Sequence, residues 1–441
     1  MSRVVQIRHP EFSLWQSAID QVVAKHKSGQ TQDFGVHKPA VQRPDTSDSM
    51  VAGASIAAQQ LELGVSLAHE AAAMSPRQTE GVVDAGKYCA SIWWEIAKAR
   101  ITGDKQAEQA WTARLGPFGS CDPRYAEAAE QYVEFFRIRQ GKVPYKVWQK
   151  LDDFIIDWQL PAKARIAILG DWGTGQPEAK KLLAAIARKN PDVVLHLGDI
   201  YYSGTEFEMQ NYFLTIWKNT LDFTRTRTFT LTGNHDMYSG GGPYYELIQK
   251  LGQPASYFCL RNDDWQFIAL DTGLHDVDVL DSAPTFLEDT EVAWLNDKIA
   301  TAGNRRSILL SHHQLFTAYE EIDGKFLNER LNQQVGPILP KVTAWFWGHE
   351  HNQVIYKPFQ GVLGRCVGHA AYPVGITEIA AKPKFPNVPI ENVTLTKGPS
   401  FYSHGYVVMD LDGPAATVSY YQDSDPEDHS MRTETYGPPV T

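Results

Sequence analysis

Two stretches decide the fold class: Ile166-Ala167-Ile168-Leu169-Gly170-Asp171 and Val193-Val194-Leu195-His196-Leu197-Gly198-Asp199. Each is a short apolar run closed by Gly-Asp, the pattern of a buried strand stopped by a turn. Between them stand Pro177 and a helical stretch, Glu178 to Arg188. A strand, a helix and a second strand form a parallel pair joined by a crossover, which places the chain in the α/β class.

Working outward, further strands are expected at Thr228 to Leu231, Trp265 to Leu270, Ser307 to Leu310 and Val342 to Trp347. Tyr406 to Leu411 and Thr417 to Tyr421 flank Asp412-Gly413-Pro414 and read as an antiparallel hairpin. Residues 1–160 read as mainly helical: Val147, Leu151, Phe154, Ile155 and Trp158 recur at the spacing of one helix face, with similar faces at Ile92, Trp93, Ile96 and at Tyr132, Phe135, Phe136. Ser28 to Met50 is polar, contains two prolines and reads as a loop. The expected organisation is a helical region of unknown role over 1–160, an α/β domain over 161–422 and a polar C-terminal tail over 423–441.

The 441 residues carry 52 acidic against 41 basic side chains, and the formal charge of −11 argues against a nonspecific nucleic-acid or anionic-membrane surface. The first ten residues lack the apolar core of a signal peptide, and no run approaches the roughly 20 apolar residues of a membrane span. A cytoplasmic protein is expected. Cys89, Cys121, Cys259 and Cys366 are widely spaced, without a metal or redox pairing, and read as reduced structural thiols.

Five motifs carry the chemistry: Gly170-Asp171-Trp172-Gly173, Gly198-Asp199-Ile200-Tyr201-Tyr202, Gly233-Asn234-His235-Asp236, Ser311-His312-His313 and Gly348-His349-Glu350-His351. Each follows an expected strand, and ligand sites of open α/β sheets gather beyond the carboxyl ends of strands. Singly, Asp171 and Asp199 are explained as turn or capping residues, Tyr202 as core, Asn234 as a left-handed turn residue and His235 as a loop histidine. Together they supply two carboxylates, a phenol, an amide oxygen and imidazoles, enough to hold two metal ions side by side. His312 and His313 are neighbours on an extended segment and point oppositely, so one of the two is expected to be a ligand. His196 lies inside a strand run and reads as packed, and His275 and His369 have no motif of their own.

Over about Arg165 to Tyr421, these motifs and their order resemble the calcineurin-like metallophosphoesterase superfamily, and within it the purple acid phosphatase branch. Gly173 stands where many relatives have a histidine, and Tyr202 completes Gly-Asp-x-x-Tyr. The resemblance implies a four-layer αββα sandwich holding two metal ions. Asp171, Tyr202 and His351 would bind the first, Asn234, His312 and His349 the second, and Asp199 would bridge them. A phenolate favours Fe(III), paired with Fe(II), Zn or Mn. The implied reaction is hydrolysis of a small phosphomonoester by a metal-bound hydroxide, with His235 at the leaving oxygen and His313 contacting substrate.

Departures from the branch are the helical leading region and Asn352-Gln353 after the last motif. Two other functions are carried forward: a phosphodiesterase or nuclease using the same centre, and a binding or regulatory protein stabilised by its metals. The helical region is open to covering the active-site mouth, to self-association or to binding a partner. Ser239 to Pro243 is either a substrate loop or a plain connection.

Overall fold

The computed structural model describes residues 135, 141–276, 284–376, 382–393, 395–399, 401–426 and 429–438. The helical faces expected at Ile92, Trp93, Ile96 and, apart from Phe135, at Tyr132 and Phe136, the polar loop at 28–50, Cys89 and Cys121 lie outside the described residues, while Cys259 and Cys366 are buried free thiols. Strands are β1 (Lys163–Leu169), β2 (Val193–His196), β3 (Arg227–Thr230), β4 (Phe258–Arg261), β5 (Trp265–Ala269), β6 (Arg306–Ser311), β7 (Val342–Trp347), β8 (Gln353–Tyr356), β9 (Leu363–Val367), β10 (Ile390–Val393), β11 (Gly405–Asp412), β12 (Ala415–Gln422) and β13 (Arg432–Tyr436). The longer helices are α1 (Pro177–Arg188), α2 (Gly242–Lys250), α3 (Asp289–Ala300) and α4 (Glu329–Val335). Among the described residues, no helix is long and apolar enough to cross a membrane.

The strands form two mixed sheets, ordered β13-β12-β11-β1-β2-β3 and β10-β8-β9-β7-β6-β5-β4. Their side chains sort by the two-residue period of a strand. Ile166 and Ile168 of β1, Leu310 of β6 and Phe346 of β7 meet in one core between the sheets. Ala167 and Leu169 turn to the other face, where they join Leu182, Leu183 and Ile186 of α1. On the far side, Leu309, Trp345 and Trp347 pack with Trp294 and Leu295 of α3 and Leu331 of α4. Three apolar cores between helix, sheet, sheet and helix make the expected four-layer sandwich, and strands buried on both faces explain the unbroken apolar runs.

The hairpin forms, with Asp412 opposite Ala415 and Gly413 left-handed at φ 58°. Ser239 to Pro243 leads into α2, with Gly241 as a left-handed N-cap and Pro243 in the first turn.

Two readings are corrected. Tyr145 to Trp158 is a turn-rich segment, not a helix. Its large side chains are placed one by one: Trp148 donates to the Thr290 carbonyl at 2.6 Å, and Tyr145 stacks on Tyr257. The Ile156 amide donates to the Cys259 carbonyl and the Cys259 amide to the Phe154 carbonyl, so the segment covers the open edge of β4. Val147 and Leu151 are left exposed. Helical spacing of apolar residues was met here by a chain that satisfies a sheet edge instead.

The second correction concerns the polar stretch after Asp423, in which residues 432–436 form β13 along β12. Its polarity hid a charge pair. Arg365 on β9, 1% exposed, makes two bonds to Glu434 on β13, at 2.8 and 2.7 Å. Tyr420 and Tyr436 also donate to Glu434, at 2.6 and 2.7 Å. The pair joins the two sheets.

Removing one partner of a buried pair strands the other charge, so Glu434→Gln is expected to cost about 3–5 kcal/mol in urea unfolding at pH 7. Burial alone would raise the Glu434 carboxyl, yet Arg365 holds it below the usual glutamate range. Because the folded-state pKa is the lower one, this stabilisation is present above the ordinary glutamate pKa and is lost as pH falls through the folded value. The gap between wild type and variant should therefore narrow on acidification, and a pH-independent gap would refute the ionic account.

Candidate metal centre

Every motif lies at the carboxyl end of a strand, β1, β2 and β3 in one sheet and β6 and β7 in the other. The two sheets present these ends side by side, and the loops meet there. Asp171, Asp199, His349 and His351 all have left-handed backbone, with φ of 59°, 72°, 63° and 44°. Such torsions are sparsely used by residues other than glycine and tend to collect where surrounding structure enforces a function.

The loops after β1 and β2 are pinned together. Gly173 donates to the Asp199 carbonyl at 3.2 Å and its own carbonyl accepts from the Tyr201 amide at 2.9 Å. A β-carbon at 173 would stand 2.5 Å from the Ile200 α-carbon. The absence of a histidine at 173 is thus a backbone requirement in this chain. Asp236 performs the second fastening: Oδ2 accepts from the amides of Gly233 (2.7 Å) and Asp199 (2.9 Å), and Oδ1 from Ile200 (3.0 Å). Burial and then Asp199 push its pKa up to about 8, while the amides pull it down. In each of these contacts it is an acceptor.

The side chains form two clusters of donor atoms. In the first, Asp171 Oδ1 lies 3.2 Å from His351 Nε2, and the Tyr201 hydroxyl lies 2.8 Å from both. In the second, His312 Nε2 lies 3.3 Å from Asp199 Oδ2, 3.2 Å from Asn234 Oδ1 and 3.3 Å from His349 Nδ1. Asp199 also belongs with Asp171 and His351, since one donor atom from each falls within a 4.8 Å group. It is the carboxylate shared by the two clusters. Spacings of about 3 Å are those of ligands placed around one ion at about 2.0–2.2 Å.

Neighbouring bonds aim these atoms. His312 Nδ1 donates to the Leu197 carbonyl at 2.9 Å, so Nε2 bears the lone pair in the neutral ring. Asn234 donates its amide N–H to the Tyr238 hydroxyl, which turns Oδ1 inward. Asp171 Oδ2 accepts from the His349 amide at 2.9 Å, leaving Oδ1 for the site. Asp199 Oδ1 accepts from the His235 amide at 3.1 Å. The result is a set of acceptors that face one another, and such a set calls for positive charge.

That demand is visible in the titrating groups. Burial would lower the His312 imidazole, yet Asp199, then Asp171, push it up to about 9. Burial would raise the Asp199 carboxyl, and His312 and His235 hold it well below the carboxylate range. His349 is pushed well down by burial and by His313 and His312. A proton on His312 answers the field that a metal cation would answer more fully. The donor set therefore fits two cations.

The remaining expected residues are placed as follows. His235 donates Nδ1–H to the Tyr202 carbonyl at 2.6 Å and directs Nε2 to within 3.8 Å of Asp199 Oδ2, with 11% of its side chain exposed. His313 packs beside His349, with ring centroids 4.4 Å apart. Its Nε2 meets Asp276 Oδ2 at 2.8 Å and its Nδ1 meets the Thr272 hydroxyl at 3.1 Å, so both ring nitrogens have protein partners. Tyr202 donates its backbone N–H to Glu208 and offers its carbonyl to His235. The hydroxyl that meets Asp171 and His351, where the ligand reading put Tyr202, is that of Tyr201. His196 is fully buried, bonded to Thr230 and ringed by Trp172, Phe213 and Trp217. Burial pushes it down to about 3.

Sequence reasoning passed over Tyr201, Glu208, Asp236, Tyr238, Thr272 and Asp276. Two carried readable signals: Thr205-x-x-Glu208 is a capping box, formed here, and Asn234 and Tyr238 are four residues apart on one turn. Asp276 and Thr272 reach His313 only through the tertiary fold.

No curated protein matches the chain significantly. Solved structures similar to it include a dimetal phosphatase from Danio rerio, with 12% identity, 62% of this chain and 98% of that chain covered and a TM-score of 0.42. Another is a single mutant of Vps29 from Entamoeba histolytica, with 11% identity, 62% and 99% covered and a TM-score of 0.30. A hypothetical protein from Thermus thermophilus gives 11% identity, 58% and 99% covered and a TM-score of 0.34. Residues 164–353 match the model of the calcineurin-like phosphoesterases, a span that takes in all five motifs.

Proposed function

We propose that the protein is a dinuclear-metal phosphatase acting on small phosphomonoesters, of the purple acid phosphatase type. The observation that carries this reading is the pair of donor clusters sharing Asp199, with His235 beside them and outside both. Asn234, His312 and His349 would hold one ion, Asp171, His351 and a tyrosine of Gly198 to Tyr202 the other. A ferric ion suits the phenol-bearing cluster and Fe(II), Zn or Mn the other. Two such ions supply an activated water near neutral pH and neutralise charge on the phosphoryl oxygens.

The chain's own groups do the rest. Asp199, anchored through one oxygen by the His235 amide, keeps the two clusters in fixed relation. His235 is oriented by the Tyr202 carbonyl, and in its imidazolium form, protonated on both nitrogens, its Nε2–H would give a proton to the departing alkoxide or donate a hydrogen bond to it. His313, held by Asp276 and Thr272, forms the wall beside His349, where substrate would pass. The charge of −11 favours a small ester over a polyanionic polymer. Self-association or partner binding through the N-terminal region, residues 1–160, and residence in the cytoplasm belong to the same reading.

Elemental analysis should find two metal ions per chain in the wild type, and Asp199→Ala should retain about one or fewer. His235→Ala should keep both ions and the fold while kcat on a phosphomonoester falls by about 10²–10⁴-fold. A fully active His235→Ala protein would remove the proposed proton donor. Turnover of a model diester above that of the matching monoester would replace the phosphomonoesterase reading with a phosphodiesterase one.

A further inference from the structure

Three features of the fold bear on the tyrosine left open above. First, the Tyr201 hydroxyl completes a triangle with Asp171 Oδ1 and His351 Nε2, with sides of 2.8, 2.8 and 3.2 Å. Second, the Tyr201 ring is fully buried and caged. It lies 4.6 Å from His235 and 5.1 Å from Tyr372, which itself stacks on His351 at 3.9 Å. Rotation of the phenol away from Asp171 would have to displace that cage.

Third, the backbone on either side is committed. The Tyr201 amide is bound to the Gly173 carbonyl, in the close approach that Gly173 permits. The Glu208 carboxylate takes the amides of Tyr202, Ser203 (3.2 Å) and Thr205 (2.9 Å), together with the Thr205 hydroxyl (3.0 Å). The Tyr202 carbonyl holds His235. Exchanging the two tyrosines would break the Glu208 anchor and release the His235 ring together.

We propose that Tyr201, and not Tyr202, supplies the phenol oxygen to the Asp171–His351 cluster, so that the tyrosine ligand stands two residues after Asp199 instead of three. The assignment rests on the purple-type reading of the centre. On binding, the phenol O–H bond breaks, its proton leaves to solvent and the oxygen bonds to the ferric ion, with no change of oxidation state. Glu208 is then a positioning residue that keeps Tyr201 inward.

The test is optical and needs no turnover. Wild type, Tyr201→Phe and Tyr202→Phe are loaded with one ferric ion per chain, checked by elemental analysis and circular dichroism, and compared by visible absorption and resonance Raman spectroscopy. Tyrosinate-to-iron charge transfer and tyrosinate modes are expected in wild type and in Tyr202→Phe, and their loss in Tyr201→Phe. If Tyr201→Phe fails to fold or to hold iron, Tyr202→Phe decides: a retained band supports Tyr201, and bleaching overturns it. A band that survives in Tyr201→Phe, or a colourless ferric wild type, also overturns it. Ester turnover is measured separately on the wild type. A colourless but active enzyme sinks only the tyrosine assignment, and a coloured protein without turnover sinks the phosphatase reading and leaves Tyr201 standing.

Discussion

The Asp236 carboxylate is the fastening on which the centre depends. Fully buried, it takes amides from Gly233, Asp199 and Ile200, and so binds the loop after β2 to the loop after β3. Without that tie, the left-handed turn at Asp199 and the turn beginning at Asn234 would have no reason to keep a fixed spacing. Asp199 Oδ1 would then lose the His235 amide, and the shared carboxylate its orientation. One side chain outside both donor clusters thus helps to set the positions of the residues proposed to do the chemistry. A carboxyl group suits the task because its two oxygens carry lone pairs enough for three amides.

The centre is an arrangement of acceptors forced together by the two sheets. Leu197 fixes the tautomer of His312, Tyr238 the orientation of Asn234 and Tyr202 the tautomer of His235, each through a single hydrogen bond. These bonds cost no mobile side chain at the moment of binding. In the proposed mechanism they also separate the roles: the imidazoles and oxygens aimed at one another would bind the ions, and His235, aimed across Asp199, would be left for proton transfer. His313 shows the opposite case, a histidine beside the centre whose two nitrogens are already engaged.

Much of this was legible in the sequence because strand endings are local events. Apolar runs stopped by Gly-Asp, Gly-Asn-His or Gly-His marked both the strands and the loops, and buried strands allow few other patterns. What escaped depended on non-local partners. The segment Tyr145 to Trp158 has helical spacing, but its backbone answers to β4, far along the chain. β13 looked like a tail because Glu434 is polar, and only Arg365 on the other sheet gives that polarity an interior place. Tyr201 and Tyr202 are chemically identical neighbours, and Glu208 and Gly173 separate them through contacts that spacing does not reveal.

The left-handed torsions at Asp171, Asp199, His349 and His351 bear on how such a centre changes over evolutionary time. Aspartate and histidine are among the few residues other than glycine that enter this region with modest strain, whereas longer or branched donors are penalised there. Exchange of a ligand for glutamate or tyrosine at these four places would thus be opposed by the backbone before any metal is considered. Asn234 and His312, with ordinary torsions, carry no such backbone restriction. A scaffold of this kind can shift its chemistry while its ligand positions stay nearly frozen.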